Sequence, residues 1–148
     1  MTAQIWLLSG PNLNELGTRA PEIYGTATLD EHVARFTEIA ATFDCSVHHL
    51  QSNFEGDLIE AVHRARHHAV ALVINPGALT HYSWSLRDAL ESFPGLKIEI
   101  HLSNPAAREQ FRRHSTISSV VDGTIAGFGH GSYELAAYAV RDRLHSAP

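Results

Sequence analysis

Short runs of apolar residues alternate with longer amphipathic stretches along the whole chain. Within the short runs the apolar residues are consecutive rather than alternating, which is typical of parallel strands that are covered on both faces. Turn residues close two of these runs, since Gly10-Pro11 follows the first and Pro76-Gly77 follows the third. The pattern predicts five strands, at residues 5–8, 47–50, 70–74, 96–102 and 119–125.

The stretches after the predicted strands have helical spacing. The first helix opens at Thr28, and Glu31 three residues later completes a capping box. In the second, Leu58, Val62 and Ala65 recur at intervals of three or four residues, as on the buried face of a helix. The pattern predicts five helices, at residues 28–43, 55–67, 83–92, 106–114 and 132–144.

Strands that alternate with helices in this way predict an α/β fold. We expect a flavodoxin-like three-layer sandwich, in which a five-stranded parallel sheet of order 2-1-3-4-5 carries helices on both faces. The 148 residues fit a single domain, 1–148. Ligands of such sheets bind beyond the carboxyl ends of the strands. Because strands one, three and four are neighbours in this order, the polar segments 12–24, 75–81 and 101–112 are expected to converge there.

The composition narrows the classes of function. Hydrophobic residues make up 44% of the chain and charged residues 18%, which is enough apolar material for a core and argues against disorder. The formal net charge is -5 and no long basic run exists, so neither nucleic acid nor a membrane is an expected partner. Residues 1–8 lack a basic leader and no apolar run is long enough to span a bilayer, which predicts a cytoplasmic protein.

No metal site is expected. The single cysteine, Cys45, excludes an internal disulfide and a cysteine-rich zinc site, and we interpret it as a small residue near a strand start. The chain has eleven histidines, but adjacent ones such as His48 and His49 point in different directions, and no HExxH pattern is present. Most of the histidines are therefore interpreted as surface residues.

The connection after the first strand, residues 10–27, is long, and long loops commonly act as lids or binding loops. It carries Arg19 and Tyr24. A free tyrosine titrates near pH ~10, but a neighbouring guanidinium stabilises the phenolate, so the two residues could make a base when the loop closes. On the residues alone, a packed tyrosine beside a surface arginine is the favoured interpretation.

Two further segments carry polar groups to the same predicted edge. Asn75, His81 and the backbone amides between them could hold substrate hydroxyls or an oxyanion, or could simply form a helix-entry turn. Glu99 and His101 face the same side of their strand. A carboxylate in that position can orient the imidazole and favour its protonated form, which is a competent general acid.

Arg108 and Arg112 lie one turn apart on the predicted helix 106–114, where they could bind an anion or form only a solvated helix face.

The sequence motifs of several other kinds of enzyme site are absent. The glycines at 127, 129 and 131 lack the Lys-Ser/Thr of a phosphate loop, and no Gly-x-Ser-x-Gly elbow occurs. Lys97, the only lysine, lies away from the predicted site, so a Schiff base has almost no candidate.

Five blocks of residues carry a resemblance to a known family. They are Gly10-Pro11-Asn12-Leu13-Asn14 with Arg19 and Tyr24-Gly25; Gln51-Ser52-Asn53 with Glu55-Gly56; Asn75-Pro76-Gly77-Ala78 with Thr80-His81 and Arg87-Asp88-Ala89; Glu99-Ile100-His101-Leu102-Ser103-Asn104 with Arg108, Arg112 and Ser115; and Gly127, Gly129 and Gly131 with Tyr133. In this order and spacing they closely resemble the type II 3-dehydroquinate dehydratases over nearly the full chain. Single blocks are moderately specific, and the five together are highly specific.

The resemblance implies a lyase that dehydrates 3-dehydroquinate to 3-dehydroshikimate, in the shikimate pathway or in quinate catabolism. The family's reaction passes through an enolate, without Schiff base, metal or cofactor. Tyr24 is the implied base at C2, and Arg19 on the lid lowers its pKa. Asn12 is implied to stabilise the enolate, through a water molecule. His101, oriented by Glu99, is the implied acid for the hydroxyl that leaves C1.

The resemblance also implies how substrate is held and how the chain assembles. Asn75, His81, Arg112 and the backbone at Leu102 and Ser103 are the implied substrate-binding groups. Asp88 is expected to reach the site from a neighbouring subunit. The family forms a homododecamer, a tetramer of trimers, and the same self-association is expected here.

Four residues depart from the family's usual pattern. Glu15 and Ala20 stand where Leu and Glu are common, and Tyr82 and Trp84 are bulkier than expected near His81. Two other hypotheses follow from the sequence. One is a non-catalytic flavodoxin-like module that binds flavin or a sugar acid, although a binder does not need Arg19, Tyr24 and His101 together. The other is an inactive oligomeric scaffold in which the charge of Glu15 has disabled the lid.

Overall fold

A five-stranded parallel sheet forms the middle of the molecule. The computed structural model describes residues 2–146. Residue 1, which begins the segment 1–8 predicted to lack a basic leader, lies outside the described residues, as do residues 147–148 at the end of the predicted domain 1–148. The strands are β1 Ala3–Ser9, β2 Cys45–Gln51, β3 Ala69–Asn75, β4 Leu96–His101 and β5 Gly123–Ala126. Their order is β2-β1-β3-β4-β5, and each neighbouring pair is parallel, which confirms the predicted topology.

Helices cover both faces of this sheet. They are α1 Pro21–Tyr24, α2 Leu29–Ala41, α3 Glu55–Ala65, α4 Trp84–Ser92 and α5 His130–His145. Helices α2 and α5 bury one face of β1, which includes Ile5 and Leu7, whereas α3 and α4 bury the other, which includes Trp6 and Leu8. The result is the predicted three-layer, flavodoxin-like sandwich. No helix in the described part of the chain is long and apolar enough to cross a membrane.

Side-chain caps support two of the predicted helix starts. Thr28 Oγ1 accepts from the backbone N–H of Glu31, and the Glu31 carboxylate accepts from the Thr28 backbone, which completes the capping box. Ser83 caps α4 by accepting from the N–H of Leu86. These caps fix the points at which the chain turns away from the carboxyl edge of the sheet.

The prediction of a helix at 106–114 is wrong. Two short 3₁₀ turns, Pro105–Ala107 and Gln110–Arg113, replace it. Between them Arg108 is extended, with φ -110° and ψ -157°, so the chain cannot continue as a helix. The Asn104 side chain accepts from the Ala106 N–H, a local bond that favours a tight turn.

The fifth strand begins later than predicted. The first two residues of the predicted strand 119–125 belong to the 3₁₀ turn Ser118–Val120, and β5 begins at Gly123. Val120 packs against the α3/α4 face of the sheet instead of joining the ladder. The register of β5 is set just before it by Asp122, whose backbone N–H donates to Lys97 O and whose carboxylate accepts from the Lys97 N–H.

Candidate active site

The three segments predicted to converge do so around one cleft at the carboxyl edge of β1, β3 and β4, with a volume of about 230 Å³. Most of the residues proposed from sequence line it: Asn12, Arg19, Tyr24, Asn75, His81, His101, Leu102, Ser103 and Arg112, together with Arg108. Glu99 lies directly behind His101, and Asp88 lies elsewhere on the same chain.

The loops after β1 and β3 touch each other along their backbones. The Gly10 N–H donates to Asn75 O at 2.8 Å. A Cβ on Gly10 would lie 2.5 Å from the carbonyl oxygen of Pro76, so this approach requires glycine. Asn12 follows in a left-handed conformation with φ 70°, and its N–H donates to Asn53 Oδ1 at 2.9 Å. The backbone therefore sets where Asn12 meets the cleft.

Tyr24 is flanked by two guanidinium groups. The Cζ atoms of Arg19 and Arg108 lie 4.8 and 5.1 Å from the centroid of its ring. Arg19 comes from the same loop, whereas Arg108 comes from the segment after β4. Tyr24 is half-buried and packs on the α2/α5 core, so it is indeed a packed tyrosine, but Arg19 lines the cleft instead of lying free on the surface. Two positive charges therefore lie against the ring of Tyr24 at the cleft.

Glu99 and His101 form a buried pair, as strand alternation predicts. Glu99 is 0% exposed, and its Oε2 accepts from His101 Nε2 at 2.5 Å. Thr80 Oγ1 donates to the same oxygen at 2.5 Å, and Ser115 Oγ lies 3.0 and 3.1 Å from the two carboxylate oxygens. Burial alone would raise the pKa of Glu99, but the hydrogen bonds from His101, Thr80 and Ser115 hold that pKa below its usual value.

The pairing with Glu99 identifies which ring nitrogen of His101 carries a hydrogen. A carboxylate can only accept, so Nε2 carries a hydrogen and donates it to Glu99. The other ring nitrogen, Nδ1, is left for the cleft that His101 lines. A protonated imidazole in this position would present an acidic N–H to a ligand.

His81 is held by a different kind of partner. Its Nδ1 lies 2.8 Å from the carbonyl oxygen of His114, which can only accept, so Nδ1 carries the hydrogen. Burial is the main cause that lowers the pKa of His81, with nearby His101 and Arg112 acting in the same direction. A neutral His81 therefore offers Nε2 as an acceptor for a ligand hydroxyl.

Asn75 is oriented from within the core. Its Oδ1 accepts from the Gly77 N–H at 3.3 Å, and its Nδ2 donates to the hydroxyl of Tyr133 at 3.4 Å. Burial raises the pKa of the fully buried Tyr133, so its hydroxyl stays neutral. The amide of Asn75 is thereby held with its donor and acceptor at fixed positions beside the cleft.

Arg108 and Arg112 both line the cleft, although the helix predicted to carry them does not exist. Arg108 Nη1 donates to Ser103 Oγ at 3.1 Å. Arg112 Nε donates to the carboxylate of Glu109. With Arg19 they give the cleft three guanidinium groups, which suits an anionic ligand.

Asp88 is the one predicted site residue that stands apart. It lies on α4 with its side chain 75% exposed, near Arg87, and does not line the cleft of its own chain. Three neighbours of the site had no role assigned from the sequence: Thr80, Ser115 and Tyr133. All three occur in the blocks that carry the family resemblance, which is the only signal that pointed to them. Among residues 2–146, no group of three or more His, Cys, Asp or Glu side chains is arranged to hold a metal.

Known proteins share this sequence and fold. A 3-dehydroquinate dehydratase of Caulobacter vibrioides is 55% identical over 139 residues, which cover 94% of this chain and 95% of that protein. A 3-dehydroquinate dehydratase of Cereibacter sphaeroides is 52% identical and covers 92% of each. The crystal structure of a type II dehydroquinase from Propionibacterium acnes matches with a TM-score of 0.91 and 43% identity, over 96% of this chain and 98% of that one.

The fold and these relatives define a lyase built on the flavodoxin-like α/β sandwich. A family model described as "Dehydroquinase class II" matches residues 3–141. The chain belongs to the class II dehydroquinase family, as its sequence blocks indicated.

Proposed function

We propose that this protein dehydrates 3-dehydroquinate to 3-dehydroshikimate through an enolate, without a Schiff base. The family and the relatives named 3-dehydroquinate dehydratase support the substrate. The observation that carries the mechanism is that one cleft holds Tyr24 between two guanidinium groups and His101 backed by a buried carboxylate. A base and an acid on one small ligand suit a stepwise elimination.

In the first step, the Tyr24 phenolate removes the proton at C2, beside the ketone. Arg19 and Arg108 lie against the ring of Tyr24 and place two positive charges beside it. The electron pair of the broken C–H bond moves into the enolate, whose oxygen is stabilised by Asn12 through a water molecule.

In the second step, the enolate re-forms the ketone, the C1–C2 double bond forms, and the C1–O bond breaks. The His101 Nδ1–H gives its proton to the departing hydroxyl, which leaves as water. Glu99 holds the imidazole through its Nε2–H, which orients Nδ1 for this transfer. Loss of the proton from Tyr24 and return of one to His101 complete the cycle.

The remaining cleft residues position the substrate. Arg112 pairs with the carboxylate, and Asn75, His81 and the backbone at Leu102 and Ser103 hold the hydroxyls. The neutral His81 with its free Nε2 supports this assignment, because a hydroxyl needs an acceptor. The same dehydration serves aromatic biosynthesis and quinate breakdown, and we propose that it takes place in the cytoplasm.

We further propose that the protein works as a homododecamer, a tetramer of trimers, in which Asp88 reaches the cleft of a neighbouring subunit. Two aromatic residues that precede Asp88 in the chain support a covered surface there, since Trp84 is 74% and Tyr82 64% exposed on the single chain. Large exposed aromatic side chains commonly mark protein interfaces.

The direct test is to mix the purified protein with 3-dehydroquinate and follow the ultraviolet absorbance of the conjugated product, with and without a chelator. We expect a signal that survives chelation. Tyr24→Phe is expected to abolish turnover while substrate-analogue binding is largely kept. Near-normal turnover by Tyr24→Phe would make the base assignment wrong, and borohydride trapping at Lys97 would overturn the enolate mechanism.

The same assay separates the other hypotheses. A folded, assembled protein without turnover would favour a binding module. An inactive scaffold predicts instead that Glu15→Leu restores turnover, because Glu15 lies exposed in the 3₁₀ turn that begins the loop of Arg19 and Tyr24. If the wild-type protein turns over substrate, both alternatives fail.

A further inference from the structure

Two hydroxyl groups, in addition to His101, hold the buried carboxylate of Glu99. Besides His101, its hydrogen-bond partners are Thr80 Oγ1 and Ser115 Oγ. Among residues 2–146, no arginine or lysine pairs with it. An ionised carboxylate that is removed from water is tolerated only when its oxygens are satisfied by donors, so these two hydroxyls matter for its charge state.

The direction of the hydrogen bonds follows from the partners of Ser115. Its Oγ accepts from the backbone N–H groups of Ile117, at 3.3 Å, and Ser118, at 3.1 Å. Both lone pairs of the hydroxyl are then used, so its single hydrogen is directed at the group formed by Glu99 and Thr80 Oγ1, which lies 2.9 Å from Ser115 Oγ. Glu99 is the charged acceptor of that group and therefore the stronger one. Thr80 Oγ1 lies 2.5 Å from Glu99 Oε2 and donates there. Three donors therefore face Glu99, which suits the acceptor-only, ionised carboxylate.

Thr80 and Ser115 reach Glu99 from two segments that are tied together. Thr80 lies in the 3₁₀ turn Gly77–His81 after β3, and Ser115 follows the turn Gln110–Arg113. The Thr116 N–H donates to Thr80 O at 2.7 Å, and His81 Nδ1 donates to His114 O at 2.8 Å. The hydrogen bond from Thr116 to Thr80, which joins the two segments, thus lies beside the hydrogen bond that holds His81 in the cleft.

We propose that Thr80 and Ser115 are positioning residues for the reaction: their hydroxyls keep Glu99 ionised and fixed, so that His101 holds its Nε2–H on Glu99 and presents Nδ1–H to the leaving hydroxyl. This inference rests on the proposed function of His101 as the acid. Neither hydroxyl touches the cleft, since neither residue lines it.

The test is a set of steady-state measurements on the assembled protein with 3-dehydroquinate. Thr80→Val and Ser115→Ala, which remove one hydroxyl each, are expected to lower kcat about 10-fold with little change in KM. Thr80→Ser and Ser115→Thr keep the hydroxyls and are expected to restore most of kcat. Ser118→Ala is the matched control, because its hydroxyl bonds only to Ser115 O.

The decisive measurement repeats Thr80→Val and Ser115→Ala in a Glu99→Gln background. If the hydroxyls act through the carboxylate, each adds less than about 2-fold to the loss caused by Glu99→Gln. A full 10-fold loss in that background, or a rise in KM with kcat unchanged, would overturn the proposal. An inactive wild-type protein would instead refute the proposed function, so the two failures are distinguishable.

Discussion

Buried His32 should make the stability of this protein fall as the pH falls below neutral. It lies on α2, is 1% exposed, and stacks on Tyr133 at a centroid distance of 4.9 Å. Its Nδ1 lies 3.2 Å from His130 Nδ1, and its Nε2 is buried without a hydrogen-bond partner among the described residues. Burial, with a smaller contribution from the charge of His130, lowers the pKa of His32 from 6.5 to about 4, against the opposing effect of Glu31.

The sign and size of the effect follow from proton linkage. Between pH 6.5 and about 4 the unfolded chain binds a proton at His32 that the folded protein does not, so the free energy of unfolding decreases as the pH falls through this window. The stability that His32 contributes is complete above pH 6.5 and is lost below it. For these two pKa values the loss between pH 7 and pH 5 is about 2 kcal/mol, and it approaches about 3 kcal/mol near pH 4.

The perturbation to make is His32→Phe, which keeps a ring against Tyr133 and removes the titrating group. Urea unfolding at pH 7 and pH 5, at one protein concentration, gives the two free energies, with the fluorescence of buried Trp6 as a probe. We expect the variant to lose about 2 kcal/mol less than the wild type between the two pH values. His67→Phe is the control, since His67 is exposed and should keep the wild-type pH dependence.

Equal losses of stability for His32→Phe and the wild type would refute this reasoning, because His32 would then titrate alike in both states. Burial also lowers the pKa values of His49 and His81, so the wild type should lose more stability on acidification than His32 alone explains. Those contributions are common to both proteins and cancel in the comparison.

Three further predictions concern the contribution of single residues to the stability of the fold. Gly10→Ala should lower the free energy of unfolding by more than about 2 kcal/mol in urea titrations, because its Cβ would clash with Pro76, whereas Gly56→Ala, with nothing within 4 Å, should be neutral. Lys97→Met should cost about 1–3 kcal/mol in the same titrations, since the ammonium donates to two carbonyls at the end of α4, and should leave turnover unchanged. Thr28→Ala should lower stability by about 1 kcal/mol through loss of the capping box, measurable by thermal unfolding, with turnover kept below the transition.

The sheet was predictable because its strands are buried on both faces and therefore appear as consecutive apolar runs. The prediction of a helix at 106–114 failed because local preference did not decide the structure there. Its Ala, Arg, Glu and Gln residues favour a helix locally, but Arg108 is drawn out of helical geometry to contact Ser103 and the ring of Tyr24. Local preference was overridden at the place where the chain builds its site, which is where such conflicts are expected.

Within the site, strand alternation was enough to predict the contact between Glu99 and His101. Alternation says nothing about residues from other segments, and the hydroxyls of Thr80 and Ser115 were therefore found only in three dimensions. Asp88 marks a different limit. Its proposed action on a neighbouring subunit leaves no trace in the geometry of its own chain, where Asp88 is an exposed carboxylate.

The sheet divides the site into two halves with separate support. The Tyr24 side packs on the core under α2 and α5, whereas Glu99 and His101 point away from Ile98 and Ile100, which belong to that core. Thr80, which holds Glu99, follows Leu79 of the α3/α4 core. The proposed base and the proposed acid thus depend on different cores, and Arg108, which contacts both Ser103 and the ring of Tyr24, links the two halves. Apart from those at Arg108, substitutions that weaken one half should therefore combine additively with those in the other, and non-additivity should be confined to Arg108 and to residues that share a half.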